Sequence, residues 1–239
     1  MSNQSAYDFV ELSRRGLKHL LGRNEDSFDI LEVAFLKAAL DSASYYESRM
    51  RSAPAFATHL DLLSHALGLA HPGGLVLEFG VGGGGSITHI AAQVGKNRTV
   101  FGFDSFEGLP EVWRTGFEKG AFAQSGPPTV PDSVHLIEGK FADTLPAFLR
   151  TNQDPVGFIH VDCDLHSSTQ FLLNALAPRI HEGCIIVFDE YFNFPGWRHD
   201  EFKAFQEFVA THSISYDYIG FVPSHQQAAV RIAGRQRPA

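Results

Sequence analysis

The sequence predicts an α/β fold: a doubly wound, mostly parallel seven-stranded sheet with accessory helices at its N-terminal end. Three observations predict it. From Leu75 onward, short apolar runs alternate with stretches of helical periodicity, the pattern of parallel strands joined by crossover helices and buried on both faces. The first such unit, L-V-L-E-F-G-V-G-G-G-G-S at 75–86, passes from strand through five glycines in six positions to a helix start. The last two strands follow one another with no helix between them, so they form an antiparallel hairpin.

Residues 1–72 read as an N-terminal helical extension and residues 73–239 as one α/β domain, which a chain of 239 residues can hold around a full core. In F-D-I-L-E-V-A-F-L-K-A-A-L, Phe28, Leu31 and Phe35 share a helix face, with Asp26 or Ser27 as the cap. A second helix starts near Pro54 and stops at H-P-G-G, where Pro72, Gly73 and Gly74 break it. The apolar faces of these helices suit self-association. Strands follow at Leu75–Phe79, Thr99–Asp104, Val134–Glu138, Val156–Asp162 and Cys184–Asp189, then around Tyr216–Phe221 and Ala228–Ile232. Helices at Ser86–Val94, Thr144–Arg150, Ser167–Ile180 and His199–Thr211 separate the first six. The stretch 105–133 breaks this alternation, with four prolines and little periodicity. It leaves the carboxyl end of the second strand, where open α/β sheets bind ligands, and reads as a lid.

A net charge of −8 argues against non-specific nucleic-acid binding. No run approaches the length of a membrane span, and the N-terminus lacks the basic-then-apolar order of a secretory signal. Cys163 and Cys184 both lie in apolar runs, as buried thiols of a reducing compartment do, so a cytoplasmic protein is expected. Phenylalanine is abundant, 21 against six tyrosines and two tryptophans. Several phenylalanines fall in loops (Phe106, Phe117, Phe122, Phe192, Phe194), where they line a pocket or pack beneath the loop.

The glycine turn implies a nucleotide-like cofactor, because glycines permit positive φ and the free N–H groups of the helix start face the ligand. Gly80 to Gly85 contains G-x-G-x-x-G, and Asp104 ends the second strand where an acid can hold ribose hydroxyls, so a nicotinamide cofactor is one reading. Glu78 opposes it, since a carboxylate beside a pyrophosphate is repelled. The same carboxylate suits S-adenosylmethionine, which carries an ammonium and a sulfonium as well as ribose hydroxyls.

A second feature is acidic. Asp162 and Asp164 are two apart at a strand end, so on an extended chain both point one way and Cys163 the other. Asp189 and Glu190 end the neighbouring strand, and carboxyl ends of adjacent parallel strands converge on one crevice. Four acids gathered there repel one another unless a cation joins them, and oxygen donors favour Mg2+ over zinc. The alternative is that Asp162 caps a helix or binds cofactor while Asp189 and Glu190 pair with arginines. Of the histidines, His160 lies within an apolar strand and suits the core, whereas His166 is adjacent to the acids and is a candidate substrate contact. Tyr191, Trp197 and Arg198 either line the pocket or pack.

Three longer segments, F-G-F-D-S-F-E-G-L-P-E (101–111), I-H-V-D-C-D-L-H-S-S-T (159–169) and I-I-V-F-D-E-Y-F-N-F-P-G-W-R (185–198), resemble the macrocin O-methyltransferase family. These are class I S-adenosylmethionine-dependent methyltransferases of Rossmann-like fold that act on sugar hydroxyls of natural products. The resemblance runs in order from about residue 74 to 232, with His166 standing where many relatives have Tyr. It implies that Glu78, Gly80 and Ser86 hold the methionine end of the cofactor, and that Asp104 takes the ribose with Ser105 and Phe106 near the adenine. It further implies that Gly139, Lys140 and Phe141 close over the adenine edge and that Asp162 touches cofactor. Asp162, Asp189 and Glu190 would be ligands of a divalent ion, with Mg2+ expected, and Asp164 the general base. The acceptor is then a hydroxyl of a small molecule, neither a nucleic acid nor a membrane component. A nicotinamide oxidoreductase and a non-catalytic cofactor-binding protein are the competing readings; the first lacks a Tyr-x-x-x-Lys pair and the acid cluster argues against both.

Overall fold

The computed structural model of the chain describes residues 15–16, 18–19 and 28–235. Helix α1 spans Ile30–Arg49 and α2 His59–Leu69. The two candidate caps of α1, Asp26 and Ser27, lie outside the described residues; the cap is Asp29, whose carboxylate accepts from the Leu31 N–H at 2.8 Å. Helix α2 starts later than Pro54 suggests, because the backbone there is engaged elsewhere. The Phe56 N–H donates to the Phe221 carbonyl at 2.9 Å and the Phe221 N–H to the Pro54 carbonyl at 3.2 Å. Thr58 then caps α2 through the Asp61 N–H.

The strands are β1 (Leu75–Phe79), β2 (Val100–Asp104), β3 (Val134–Glu138), β4 (Val156–Val161), β5 (Ile180–Phe188), β6 (Ile214–Phe221) and β7 (Ala228–Arg235). They form one sheet in the order β3-β2-β1-β4-β5-β7-β6. The first five are parallel; β7 pairs antiparallel with β5, and β6 antiparallel with β7. The terminal hairpin thus enters with its second strand innermost. Crossovers are α3 (Gly85–Val94), α4 (Phe141–Thr151), α5 (His166–Leu176) and α6 (Glu201–His212). Helix α5 is shorter than its periodicity implies: Pro178, which has no N–H to donate, lies in a 3-10 turn at Ala177–Arg179, and β5 begins at once at Ile180.

Alternation along the strands divides the core into two layers. Leu77, Phe79, Ile159, Val161, Ile186 and Phe188 pack with α4, α5 and α6 on one face. Val76, Phe158, Ile185 and Val187 pack with α2 and α3 on the other, where Leu62, Leu63, Ala66 and Leu67 of α2 are buried. Helix α2 is therefore part of the sheet's covering. Helix α1 is tied on by Ser42, which accepts from the Asn193 N–H at 2.9 Å, by Tyr45 against Tyr218 at 2.6 Å, and by a two-pronged Asp41–Arg198 pair. No helix among the described residues is long and apolar enough to cross a membrane.

Candidate active site

Beyond the carboxyl ends of β1, β2, β4 and β5 lies a cavity of about 770 Å³, the size range of small-molecule sites. The glycine turn forms one wall. Gly80 has φ +89° and its N–H donates to the Phe103 carbonyl at 2.9 Å. Asp104 holds the turn's shape. One carboxylate oxygen accepts from the Val81 and Gly82 N–H groups, both at 2.8 Å, and the other from the Phe106 N–H at 2.8 Å.

Ten of the fourteen residues expected as catalytic, cofactor-binding or metal-binding line this cavity. Gly80, Asp104, Ser105, Gly139, Lys140 and Phe141 lie on the side expected for the cofactor. Asp162, Asp164, Asp189 and Glu190 form the acidic side. The remaining four do not reach it. Glu78 is wholly buried on β1, accepting from Ser86 Oγ at 2.9 Å and lying 3.2 Å from His160 Nδ1 on the adjacent strand. Phe106 is buried with φ +58°. His166, the first residue of α5, has its Nε2 2.7 Å from Glu207 on α6. Tyr191 and Trp197 are core residues, and Arg198 binds Asp41. Of the loop phenylalanines, Phe122 lines the cavity and stacks on Phe117, while Phe192 and Phe194 are buried.

Asp162 and Asp164 do not share one extended chain. Strand β4 ends at Val161, and Asp164 adopts φ +63°, a left-handed turn that launches α5. Cys163 borders the cavity between Asp162 and Asp164 while its Sγ lies 3.3 Å from the buried Thr169 Oγ1 in the core. A non-glycine residue in that conformation carries strain, and such residues concentrate at functional sites. A ring nitrogen of His160 and one carboxylate oxygen each of Asp162 and Asp189 lie within 4.8 Å of one another. Glu190, expected as a ligand, is outside that group, and its Oε2 is buried with no hydrogen-bond partner.

Burial, reinforced by Asp189, pushes the Asp164 carboxyl up to about 7, with Arg114 of the lid pulling the other way. Burial and the neighbouring carboxylates raise Asp162 and Glu190 well above the usual carboxylate range. Burial acts to lower His160, but its hydrogen bond and charge interaction with Glu78 outweigh it and hold the imidazole above its ordinary value. Three participants were invisible in the sequence pattern. Glu201, wholly buried at the start of α6, accepts from the Cys163 N–H at 3.3 Å and the Glu190 N–H at 3.2 Å, joining the ends of β4 and β5. Gln227 donates to Asp189 Oδ1 at 3.1 Å from the hairpin turn. Arg114 lies over the rings of Trp113 at 3.9 Å and Phe194 at 4.5 Å.

The lid at 105–133 folds back on itself. The Leu109 N–H donates to the Ala121 carbonyl and the Gly120 N–H to the Leu109 carbonyl, both at 2.9 Å. Glu107, Leu109, Lys119 and Phe122 from this loop border the cavity. Trp113 Nε1 donates to Asp200 at 3.0 Å and Ser167 Oγ to Glu111 at 2.6 Å, pinning the lid to α6 and α5.

Sheet order and the glycine turn held by Asp104 together define a class I S-adenosylmethionine-dependent methyltransferase fold. Residues 77–191, just under half of the chain, match the family described as "Methyltransferase domain". A tetracenomycin-type relative from Streptomyces olivaceus, named 8-demethyl-8-(2,3-dimethoxy-alpha-L-rhamnosyl)-tetracenomycin-C 4'-O-methyltransferase, is 32% identical over 143 residues. That match takes in 50% of this chain and 53% of the relative. Demethyldecarbamoylnovobiocin O-methyltransferase of Streptomyces niveus is 28% identical over 158 residues, 56% of this chain and 59% of that protein. The chain thus spans little more than half the length of these curated relatives. The crystal structure of a calicheamicin methyltransferase superimposes with a TM-score of 0.57 at 26% identity, covering 72% of this chain and 76% of that one.

Proposed function

We propose that the protein transfers a methyl group from S-adenosylmethionine to a hydroxyl of a small molecule, with a sugar on a natural product as the favoured acceptor and a divalent cation, Mg2+ first, assisting. The observation that carries this reading is one cavity bordered on one side by the Asp104-held glycine turn and on the other by four acids. Relatives named for methylating antibiotic-type molecules support the acceptor class.

On this reading Glu78 and Ser86 support the methionine end from beneath the turn. Asp104 retains lone pairs for the ribose hydroxyls, and Ser105, Phe106, Gly139, Lys140 and Phe141 surround the adenine. Asp162, Asp189 and Glu190 would hold the cation. The unpartnered Glu190 Oε2 and the mutually repelling carboxylates fit such a charge. When bound, a divalent ion would lower the pKa of an acceptor hydroxyl. Asp164, pushed up to about 7, is poised to accept that hydroxyl's proton, and the lid keeps water from the transfer. Two buried, unpaired cysteines suit a cytoplasmic setting, which cell fractionation tests. Helix α1 exposes Leu31 and Phe35 four residues apart on one side, an apolar stripe through which two copies would associate.

Calorimetric titration of S-adenosylmethionine, with and without Mg2+, tests the core of this reading. Micromolar binding is expected, weakened roughly tenfold or more in Asp104→Ala, where a charged hydrogen-bond acceptor is lost. No binding to the wild type in either condition would sink it. Methyl transfer to sugars with adjacent hydroxyls, inhibited by a chelator, tests the acceptor class and the metal.

A further inference from the structure

We infer that the acceptor carries its hydroxyl on a flat aromatic framework that stacks on Phe122 and packs against Phe171. The molecule methylated is then a sugar joined to an aromatic aglycone, not a sugar nucleotide. This names the carrier of the hydroxyl within the methyltransferase reading above, and rests on that reading. Outside α1 and α2, three large hydrophobic side chains are exposed among the described residues: Val112, Phe122 and Phe171. Two of them, Phe122 at 53% and Phe171 at 36%, line the cavity. Apolar surface left open at a cavity mouth suits a ligand that covers it.

Phe122 is fixed by its backbone and by a run of rings behind it. Its φ is +66°, a costly conformation for a bulky residue. Gln124 holds the turn, its Nε2 donating to the Phe122 carbonyl at 3.0 Å and its N–H to the Phe106 carbonyl at 3.0 Å. Phe117 stacks on Phe122 with centroids 5.3 Å apart. Trp113 lies 5.1 Å from Phe117, and the buried Phe194 lies 5.8 Å from Trp113. This run starts in the core and ends on the open face of Phe122, where a further flat ring would continue it.

Phe171 belongs to α5, and with Ser167 and Ser168 it forms the helix face that lines the cavity. It stands about 7.5 Å along the axis from the helix end that Asp164 launches. One sugar ring spans that distance, so a sugar hydroxyl at Asp164 leaves its aglycone beside Phe171. The Ser167–Glu111 hydrogen bond at 2.6 Å brings the lid over the same helix end. Charge disfavours the other carrier. Asp104, Glu107, Asp162, Asp164, Asp189 and Glu190 line the cavity against Lys119 and Lys140. A diphosphate would meet a field of its own sign, which one divalent cation offsets only in part.

The test is calorimetric titration of the purified protein, with S-adenosylhomocysteine bound. Glucose, galactose, mannose and rhamnose are each offered as methyl glycoside, 4-methylumbelliferyl glycoside and nucleotide diphosphate. At least one aromatic glycoside is expected to bind about tenfold tighter than its methyl counterpart, and tighter than its nucleotide form. That margin should vanish in Phe122→Ala, return in Phe122→Trp and narrow severalfold in Phe171→Ala, with S-adenosylmethionine affinity unchanged throughout. No margin for any sugar on the wild type would overturn the inference, and that comparison needs no variant to fold. Tighter binding of a sugar nucleotide, or a margin that persists in Phe122→Ala, would overturn it equally. If Phe122→Ala instead weakens S-adenosylmethionine, the ring covers the cofactor and the assignment falls. A wild type that fails to bind S-adenosylmethionine sinks the methyltransferase reading itself; intact cofactor binding without the aromatic margin removes only the aglycone.

Discussion

Gly80 has φ +89°, and a Cβ there would overlap the carbonyl oxygen of Asp162, so neither the conformation nor the space admits another residue. This close approach brings the glycine turn against the acidic strand end, with the Asp162 N–H donating to the Phe79 carbonyl at 2.9 Å. Gly80→Ala is expected to cost about 3 kcal/mol or more, by strain and overpacking together. Urea denaturation measures it, and a loss below about 1 kcal/mol would show that the turn can move away. Gly80 was legible in the sequence because a glycine run after a strand has few other uses. Asp164 was only half legible. Its place among the acids follows from spacing, but its left-handed conformation is set by the helix that must start two residues later. His160 shows the limit differently: an apolar strand around a histidine says "core", and only its register with Glu78, 82 residues away, gives the ring a partner.

Among the elements, strands were the easiest to read. The expected β1 and β3 coincide with the observed ones, since a strand buried on both faces is a bounded apolar run. Less visible was the order at the sheet's end, where β7 inserts between β5 and β6; pairing preference leaves no mark in a single strand. Glu201 gave no signal at all, being one acid among several at a helix start, although it ties β4 to β5. Helix α1 was recognisable by periodicity, but its sides are used unequally. Ala38 and Ser42 are buried, whereas Ile30 is 80% and Leu40 62% exposed. If the exposed stripe of Leu31 and Phe35 joins two copies, light scattering will give a dimer for the wild type and a monomer for Leu31→Glu with Phe35→Glu. A monomeric wild type at all accessible concentrations ends the proposal.

For the whole molecule, the acidic side of the cavity is a stability cost that depends on pH. Asp162, Asp164, Glu190 and Glu201 all hold protons more tightly folded than unfolded, burial being the largest cause for each. Groups raised in this way stabilise the fold fully below the unfolded carboxylate range, about pH 4, and that contribution is lost as pH rises through the folded values, about 7 for Asp164. In a chelator the melting temperature should therefore fall from about pH 5 to about pH 8, by several degrees. A divalent cation added at the upper end should recover most of that loss, since it binds the folded carboxylates preferentially. A melting temperature independent of pH over this range, with chelator present, would mean the carboxylates are compensated from within.

The lid's attachment has an optical consequence. The chain holds two tryptophans, and they report on different places. Trp197 is 2% exposed, edge-on to Phe202 at 4.7 Å, and deep in the core. Trp113 rides on the lid between the Arg114 guanidinium and the Asp200 carboxylate. A charge on the indole face and another at its nitrogen set the colour of its emission, so parting the lid from α6 changes both at once. With Trp197→Phe, the fluorescence of the protein becomes a clock for lid movement alone, readable in a stopped-flow instrument without any label.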